Sequence, residues 1–369
     1  MTPDSPETAP FDLDEFRERF KDILQHRTHD PIPGDPVVIA HRGASGYVPE
    51  HTLESYTLSV LMGADFVEPD LVMTRDNVLI ARHDNQLHLT TNVTYHPTFA
   101  DRERQKSVDG VLESGWFVED FSLAEIKELR AIERIPNIRP ANTAFDALFE
   151  VPTFQEIIDR VRLLEKALGR TIGIYPETKH PTHFAALGMP MDETLVKQLH
   201  ANGYEGREAP IFIQSFEITN LKKIRKLTEL PLIQLMSPTG QPFDAQCAKS
   251  DLTYDTMATR EGLQKIAEYA DGVGPEKYHF ILPRTEADHL DESRATDFVK
   301  HAHEAGLKVH PYTFRAENFF LPHDYRIGDD QSAFGKSVAE VLLFLKLGID
   351  GFFIDQADVG VEAKRLFRE

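Results

Sequence analysis

The sequence predicts a (β/α)₈ barrel with a small insertion after its second strand. Three observations carry that expectation. Eight short apolar runs recur along the chain, helical patterns separate them, and residues able to do chemistry stand at the ends of several runs. Strands that alternate with helices make a parallel sheet, and eight such units suit a closed barrel. Counting leaves an open doubly wound sheet as the competing arrangement, but the chain has no glycine-rich dinucleotide fingerprint to support it.

In chain order, residues 1–10 are rich in Pro, Thr and acid, a composition of disordered chain. Phe16, Phe20, Ile23 and Leu24 then fall at helical spacing, so DLDEFRERFKDIL reads as an amphipathic helix, ended by the proline-rich HDPIPGDP. Residues 1–35 are therefore expected to form an N-terminal extension, and 36–369 the barrel domain. The strand candidates are VVIAH (37–41), FVEPDLVM (66–73), IGIYPE (172–177) and IFIQSF (211–216), then LPLIQLM (230–236), DGVGP (271–275), LKVHPYTF (307–314) and DGFFID (350–355). Pro69 counts against a regular central strand, since it donates no ladder hydrogen bond. The helix candidates are TLESYTLSVLMG, TFQEIIDRVRLLEKALG, MDETLVKQLHANG, ITNLKKIRKLTE, TREGLQKIAEYA, ESRATDFVKHAHEAG and SVAEVLLFLKLG. The second opens on Thr153 and Glu156, a capping box, and several end at glycine.

One interval, about 85–150, breaks the rhythm. It holds a charged DRERQK stretch, the single Trp116 and a short helix, FSLAEIKELRAI, opened by Ser122 and Glu125. A loop of that length in a compact domain is usually an inserted functional segment. Setting it and the extension aside leaves about 270 residues, near the roughly 250 of a typical barrel.

Composition narrows the function. A net charge of −20 argues against nucleic acid, whose phosphates demand a basic surface, and against simple docking on an anionic membrane. Cys247 has no second cysteine to pair with and is expected to be a structural thiol. No run is long enough for a transmembrane helix, and the first residues lack the pattern of a signal peptide. The sequence as it stands is thus expected to be cytoplasmic, or periplasmic or secreted if a leader was removed, with no stable membrane anchor. Oligomeric state leaves no trace in it.

In a barrel of this kind the strand C-termini form the active face. The first candidate strand ends in His41 and Arg42. In the second, Glu68 and Asp70 are two apart and share a face. Two carboxylates aimed into a barrel mouth cannot both stay ionised and unpaired, and a hard cation with oxygen ligands resolves that cost. The third strand adds Glu177, with Lys179 on the same face, and NVLIARHD delivers His83. Taken singly, each has a bland reading: a solvated strand end, or a satisfied buried histidine. His88, His96, His180, His183, His301 and His303 are read that way. The coincidence of two histidines, three carboxylates, one arginine and one lysine at predicted strand ends shifts the balance. Such a set suits a phosphodiester. Arg42 would hold non-bridging oxygens through its planar fork, Lys179 would add a point charge, and the histidines would divide proton transfer.

HRGASGYVPEHTLESY followed by GADFVEPDLVMTRDNVLIARHD resembles the signature of the glycerophosphodiester phosphodiesterases, and IGIYPETK, HPYTFR and GFFIDQAD resemble that family's later barrel motifs. The likeness runs from about Val37 to Asp358. In PEHT, IYPETK and HPYT it is most similar to the larger bacterial branch of periplasmic type. Two features depart from that branch: no signal peptide is seen, and proline separates Glu68 from Asp70. The resemblance implies an enzyme, a metal-dependent barrel hydrolase that converts deacylated phospholipids, its small-molecule substrates, to sn-glycerol 3-phosphate and an alcohol. It implies Glu68, Asp70 and Glu177 as ligands of one divalent cation, Ca²⁺ or Mg²⁺, His41 and His83 as the acid/base pair, and Arg42 as the phosphate holder. Glu50 is assigned behind the site and Lys179 to substrate contact. The glycerol 2-hydroxyl is the implied nucleophile, giving a cyclic phosphate that water opens. Tyr312 and Phe314 would wall the glycerol side or belong to the core. The competing readings are a related phosphodiesterase acting on intact or lyso-phospholipids, a catalytically inert barrel, and a glycosidase. The last is disfavoured because Glu68 and Asp70 sit too close on one strand to flank a bond independently.

Overall fold

Short runs rich in β-branched and aromatic residues become strands buried on both faces, as parallel strands under helices must be. The structure, a computed structural model, describes residues 34–369. The helix expected over residues 12–24 lies outside the described residues. β1 (Val37–His41) pairs in parallel with β2 (Phe66–Glu68), aligning His41 with Glu68. β3 (Asp70–Met73) continues the line of β2 beyond Pro69 and makes an antiparallel pair with β4 (Leu79–Ala81). A separate hairpin, β5 (Arg104–Val108) and β6 (Val111–Gly115), lies in the long excursion that follows. The third barrel strand is also in two pieces, β7 (Gly173–Ile174) and β8 (Glu177–Thr178), broken at Pro176. Then come β9 (Ile213–Ser215), β10 (Leu232–Met236), β11 (Gly272–Pro275), β12 (Lys308–Val309) and β13 (Gly351–Ile354).

The ladders run β13-β1-β2-β7 and β12-β11-β10-β9-β8-β3-β4. The two sheets part where proline removes a donor, inside the second and third barrel strands. Both prolines still accept: Pro69 O from Glu177 N–H and Pro176 O from Gln214 N–H, each at 2.9 Å. The remaining seam is bridged beyond β12, where Phe314 N–H donates to Phe353 O at 2.8 Å and Phe353 N–H to Pro311 O at 3.1 Å. Following the neighbours round gives eight barrel positions, so the fold is the (β/α)₈ barrel. Below the strand C-termini the interior is plugged by Ile39, Phe66, Tyr175, Ile233 and Phe353, and Tyr175 Oη meets His310 Nδ1 at 2.8 Å. This layer is a solid floor for whatever sits above it.

The capping boxes at Thr153/Glu156 and Ser122/Glu125 are both formed. The second opens a helix of only one turn, Leu123–Ile126, shorter than its pattern suggests. The pattern from Glu292 yields a 3₁₀ turn and then a helix over Phe298–Glu304. Thr296 ties back to the Phe280 and Ile281 carbonyls, which prevents one continuous helix. The C-terminal helix Ala357–Arg368 is absent from the helix candidates; it packs against β1, and its Lys364 reaches Asp65 at 2.8 Å. Cys247 is exposed rather than packed, because it ends a short surface helix, Phe243–Cys247. Among the described residues no helix is long and apolar enough to cross a membrane.

Residues 85–150 fold into 3₁₀ turns, the hairpin and the one-turn helix. They are tied to the helix Pro181–Ala186 that follows β8, by its N-cap His180 with Asp109 (2.6 Å) and by His183 with Glu119 (3.1 Å). Two of the six histidines given the bland reading, His180 and His183, thus fasten this excursion to the barrel.

Candidate active site

Strand ends deliver the site. β1 stops at His41 because the chain turns sharply. Arg42 adopts φ 58° and Gly43 φ 82°, and a Cβ on Gly43 would lie 2.7 Å from the Ser55 carbonyl carbon. Only glycine fits there, and the strained arginine is held by partners on both sides. Its N–H donates to Glu68 Oε2 at 2.7 Å, and its carbonyl accepts from His51 N–H.

Glu68, Asp70 and Glu177 are buried together, each offering an oxygen within 4.8 Å of the others. Burial, then the charge of Asp70, pushes Glu68 well above the usual carboxylate range; burial likewise pushes Glu177 up to about 8, against the pull of Lys179. Burial acts on Asp70 too, but Lys179 and His51 outweigh it and hold it well below. Three carboxylates so close cannot all ionise without added positive charge. Asp70 Oδ1 is buried without a hydrogen bond, its nearest cation being Lys179 Nζ at 3.3 Å. All-oxygen donors, tight spacing and an unsatisfied carboxylate oxygen fit a hard divalent cation.

The surrounding groups fix these carboxylates. His51 Nε2 lies 2.9 Å from Asp70 Oδ2, with Nδ1 2.7 Å from Tyr56 Oη. Burial lowers its pKa to about 4, so it is a neutral donor to Asp70. Gln214 Nε2 donates to Glu68 Oε1 at 3.1 Å. Lys179 Nζ lies 2.7 Å from Glu177 Oε1, inside the carboxylate cluster as well as on the cavity wall.

Each histidine leans on a carboxylate. His41 Nδ1 is 2.6 Å from Asp355 Oδ1, and His83 Nδ1 is 2.8 Å from Asp84 Oδ1. This fixes the Nδ1–H tautomer and leaves Nε2 free for a reactant. Burial and then Arg42 lower the pKa of His41; burial, Arg42 and Lys179 lower that of His83. Arg42 Nη1 donates to Glu50 (3.0 and 3.2 Å), and its Nε, 3.3 Å from Asp70 Oδ2, has no hydrogen bond. Glu50 also receives Arg134 at 2.7 and 2.9 Å.

His41, Arg42, Glu68, His83, Glu177 and Lys179 all line one cavity of about 330 Å³, with Asp70 packed beneath and Glu50 behind Arg42. Tyr312 and Phe216 form part of its wall, whereas Phe314 is fully buried against Phe344 and Phe352 and belongs to the core. Sequence reasoning passes over His51, Asp84, Gln214, Asp355, Arg134 and Arg139. Asp84 and Asp355 carried a signal, one following His83 directly and the other ending a strand. His51 lies within PEHT. Arg134 and Arg139 carried none.

Comparison with known proteins gives the family of the chain. The profile of the glycerophosphoryl diester phosphodiesterase family matches residues 41–359. A glycerophosphodiester phosphodiesterase of Arabidopsis thaliana is 34% identical over 355 residues, covering 91% of this chain and 88% of that protein. One of Haemophilus influenzae is 33% identical over 352 residues, covering 90% of each. Among solved structures, a putative glycerophosphoryl diester phosphodiesterase of Silicibacter pomeroyi superposes with a TM-score of 0.64 at 20% identity, over 94% of this chain and 98% of that one. An Oleispira antarctica phosphodiesterase in complex with the product sn-glycerol-3-phosphate superposes at 0.52 and 19% identity, over 89% and 96%. The structural likenesses speak for the fold.

Proposed function

This chain belongs to the glycerophosphoryl diester phosphodiesterase family, and we propose that it hydrolyses glycerophosphodiesters to sn-glycerol 3-phosphate and an alcohol. The observation that carries this reading is one cavity holding two carboxylate-oriented imidazoles beside a buried three-carboxylate cluster. Glu68, Asp70 and Glu177 would hold the divalent cation, Ca²⁺ or Mg²⁺. When bound it supplies a Lewis acid that acidifies a hydroxyl and offsets phosphate charge.

Arg42 is tied to Glu50 on one side, and its fixed charge and an Nε that makes no hydrogen bond suit the phosphate. An anionic phosphodiester offsets Arg42 and Lys179, the two cations that depress His83, so substrate binding makes protonation of an imidazole easier. With Nδ1–H held by aspartate, one Nε2 accepts the proton of the attacking glycerol 2-hydroxyl. The other imidazole, protonated, gives its proton to the leaving alcohol oxygen. The cyclic phosphate so formed is opened by water, with the two imidazoles exchanging roles.

A second reading has one observation in its favour. Phe319, Ile327 and Phe334 are exposed on the loop after the seventh barrel strand, whose Phe320 lines the cavity. A phosphodiesterase acting on lyso-phospholipids would use such an apolar rim. Release of sn-glycerol 3-phosphate from glycerophosphocholine, run beside lysophosphatidylcholine, separates the two. Turnover of the water-soluble diester supports the first reading, and turnover of the lysolipid alone replaces it with the second.

A further inference from the structure

We propose that Arg134 and Arg139, both on the excursion after the second barrel strand, are positioning residues for the two histidines, each fixing the carboxylate that orients one of them. The inference rests on the acid/base roles given above to His41 and His83.

Each aspartate divides its two oxygens in the same way. Asp355 gives Oδ1 to His41 Nδ1 at 2.6 Å and Oδ2 to Arg139 Nη2, also at 2.6 Å. Asp84 gives Oδ1 to His83 Nδ1 at 2.8 Å and Oδ2 to Arg134 Nη2 at 2.6 Å. A carboxylate holding an imidazole by one oxygen can still swing about its Cβ–Cγ bond. A guanidinium on the other oxygen fixes its plane, and the imidazole follows. Asp355 is buried and needs paired positive charge to stay ionised. Arg315 Nε supplies a further contact to Asp355 Oδ2 at 2.9 Å, so the His41 arm is held twice and the His83 arm once.

The arginines are themselves fixed. Arg139 Nε donates to Glu317 Oε1 at 2.6 Å and its Nη1 to Ser45 O at 2.9 Å, while Ser45 Oγ donates to His41 O. Arg134 Nε and Nη2 also donate to Glu50, the partner of Arg42. The segment between them folds back on itself: Arg139 N–H donates to Ile135 O, and Glu133 accepts from both Ile135 N–H and Asn142 Nδ2. One rigid stretch therefore sets both imidazoles from outside the barrel. This gives the excursion a task that strand ends alone do not perform.

A purely structural ion pair would also lower activity if lost, so the test is a double-mutant cycle. Arg139→Ala is expected to cost roughly ten- to a hundredfold in kcat with KM changed little, and Arg139→Lys to restore part of it. Combined with Asp355→Asn, Arg139→Ala should cost nothing further, because it acts through Asp355; combined with Asp84→Asn, on the other arm, the two losses should multiply. Should Arg139→Ala fail to fold, Arg139→Gln carries the same cycle. Full kcat in a folded Arg139 variant, or losses that multiply with Asp355→Asn, would overturn the proposal.

A readout free of activity is the ¹⁵N shift pattern of the His41 ring. A fixed Nδ1–H tautomer is expected in the wild type and a mixture in the variant; an unchanged tautomer in the variant overturns the proposal. Wild type that turns over no glycerophosphodiester would fail the reading of function, while the ring spectrum still decides this one.

Discussion

The hydrogen bond from His41 to Asp355 is 2.6 Å long, and Asp355→Asn keeps its shape while removing the charge and the certainty of the tautomer. We expect kcat to fall roughly ten- to a hundredfold with little change in KM, measured by steady-state kinetics on glycerophosphocholine. An equal loss in KM alone would assign Asp355 to binding instead. Glu177→Gln should weaken divalent-cation affinity roughly ten- to a hundredfold by titration calorimetry, since it removes one of the three carboxylates proposed to hold the cation; unchanged affinity would place the cation elsewhere. The residues legible in the sequence are those at strand C-termini, where fold and chemistry coincide: His41, Glu68, Asp70 and Glu177. Arg134 and Arg139 are not legible because they lie in irregular chain with no period, and only three-dimensional folding brings them to Asp84 and Asp355.

At the scale of elements, the strands are legible because parallel barrel strands are short, doubly buried and apolar. Their breaks at Pro69 and Pro176 follow from the missing donor. Helix ends are less so: Thr296 anchors its segment to the end of the helix Lys277–Phe280, a tertiary contact no local pattern reports. The turn after β1 is a local necessity. Gly43→Ala should destabilise by about 1 kcal/mol or more, through its positive φ and the crowding against Ser55, and reduce activity with it. Thermal unfolding together with kcat would show this, and an unaltered Tm would mean the turn relaxes freely.

At the end of β9, Glu217 is buried against Thr182, and burial pushes its pKa up to about 7. A folded-state pKa above the unfolded one favours folding at low pH, and that contribution fades as pH rises from about 4.5 through 7. Glu217→Gln, neutral throughout, should flatten the decline of Tm across this window. An unchanged pH–Tm curve would count against the shift.

On the scale of the whole molecule, the barrel core is continuous from the strands to the outer helices, and Phe314 sits within it fully buried between Phe344 and Phe352. Phe314→Ala should cost about 3–5 kcal/mol in denaturant unfolding, whereas a loss under about 1 kcal/mol would mean the site collapses or is wet. The chain's charge of −20 contrasts with the three arginines and two lysines that line the cavity. Positive charge gathered at a cavity raises the local concentration of anions, and a cation on the three carboxylates would add to it.

The most direct single measurement is release of sn-glycerol 3-phosphate from glycerophosphocholine with Ca²⁺, with Mg²⁺ and with EDTA, using His41→Ala as the control. Release that needs a divalent cation and disappears in the variant is the expected result. Release that survives EDTA, or that His41→Ala leaves intact, would contradict the assignment of the three carboxylates or of His41.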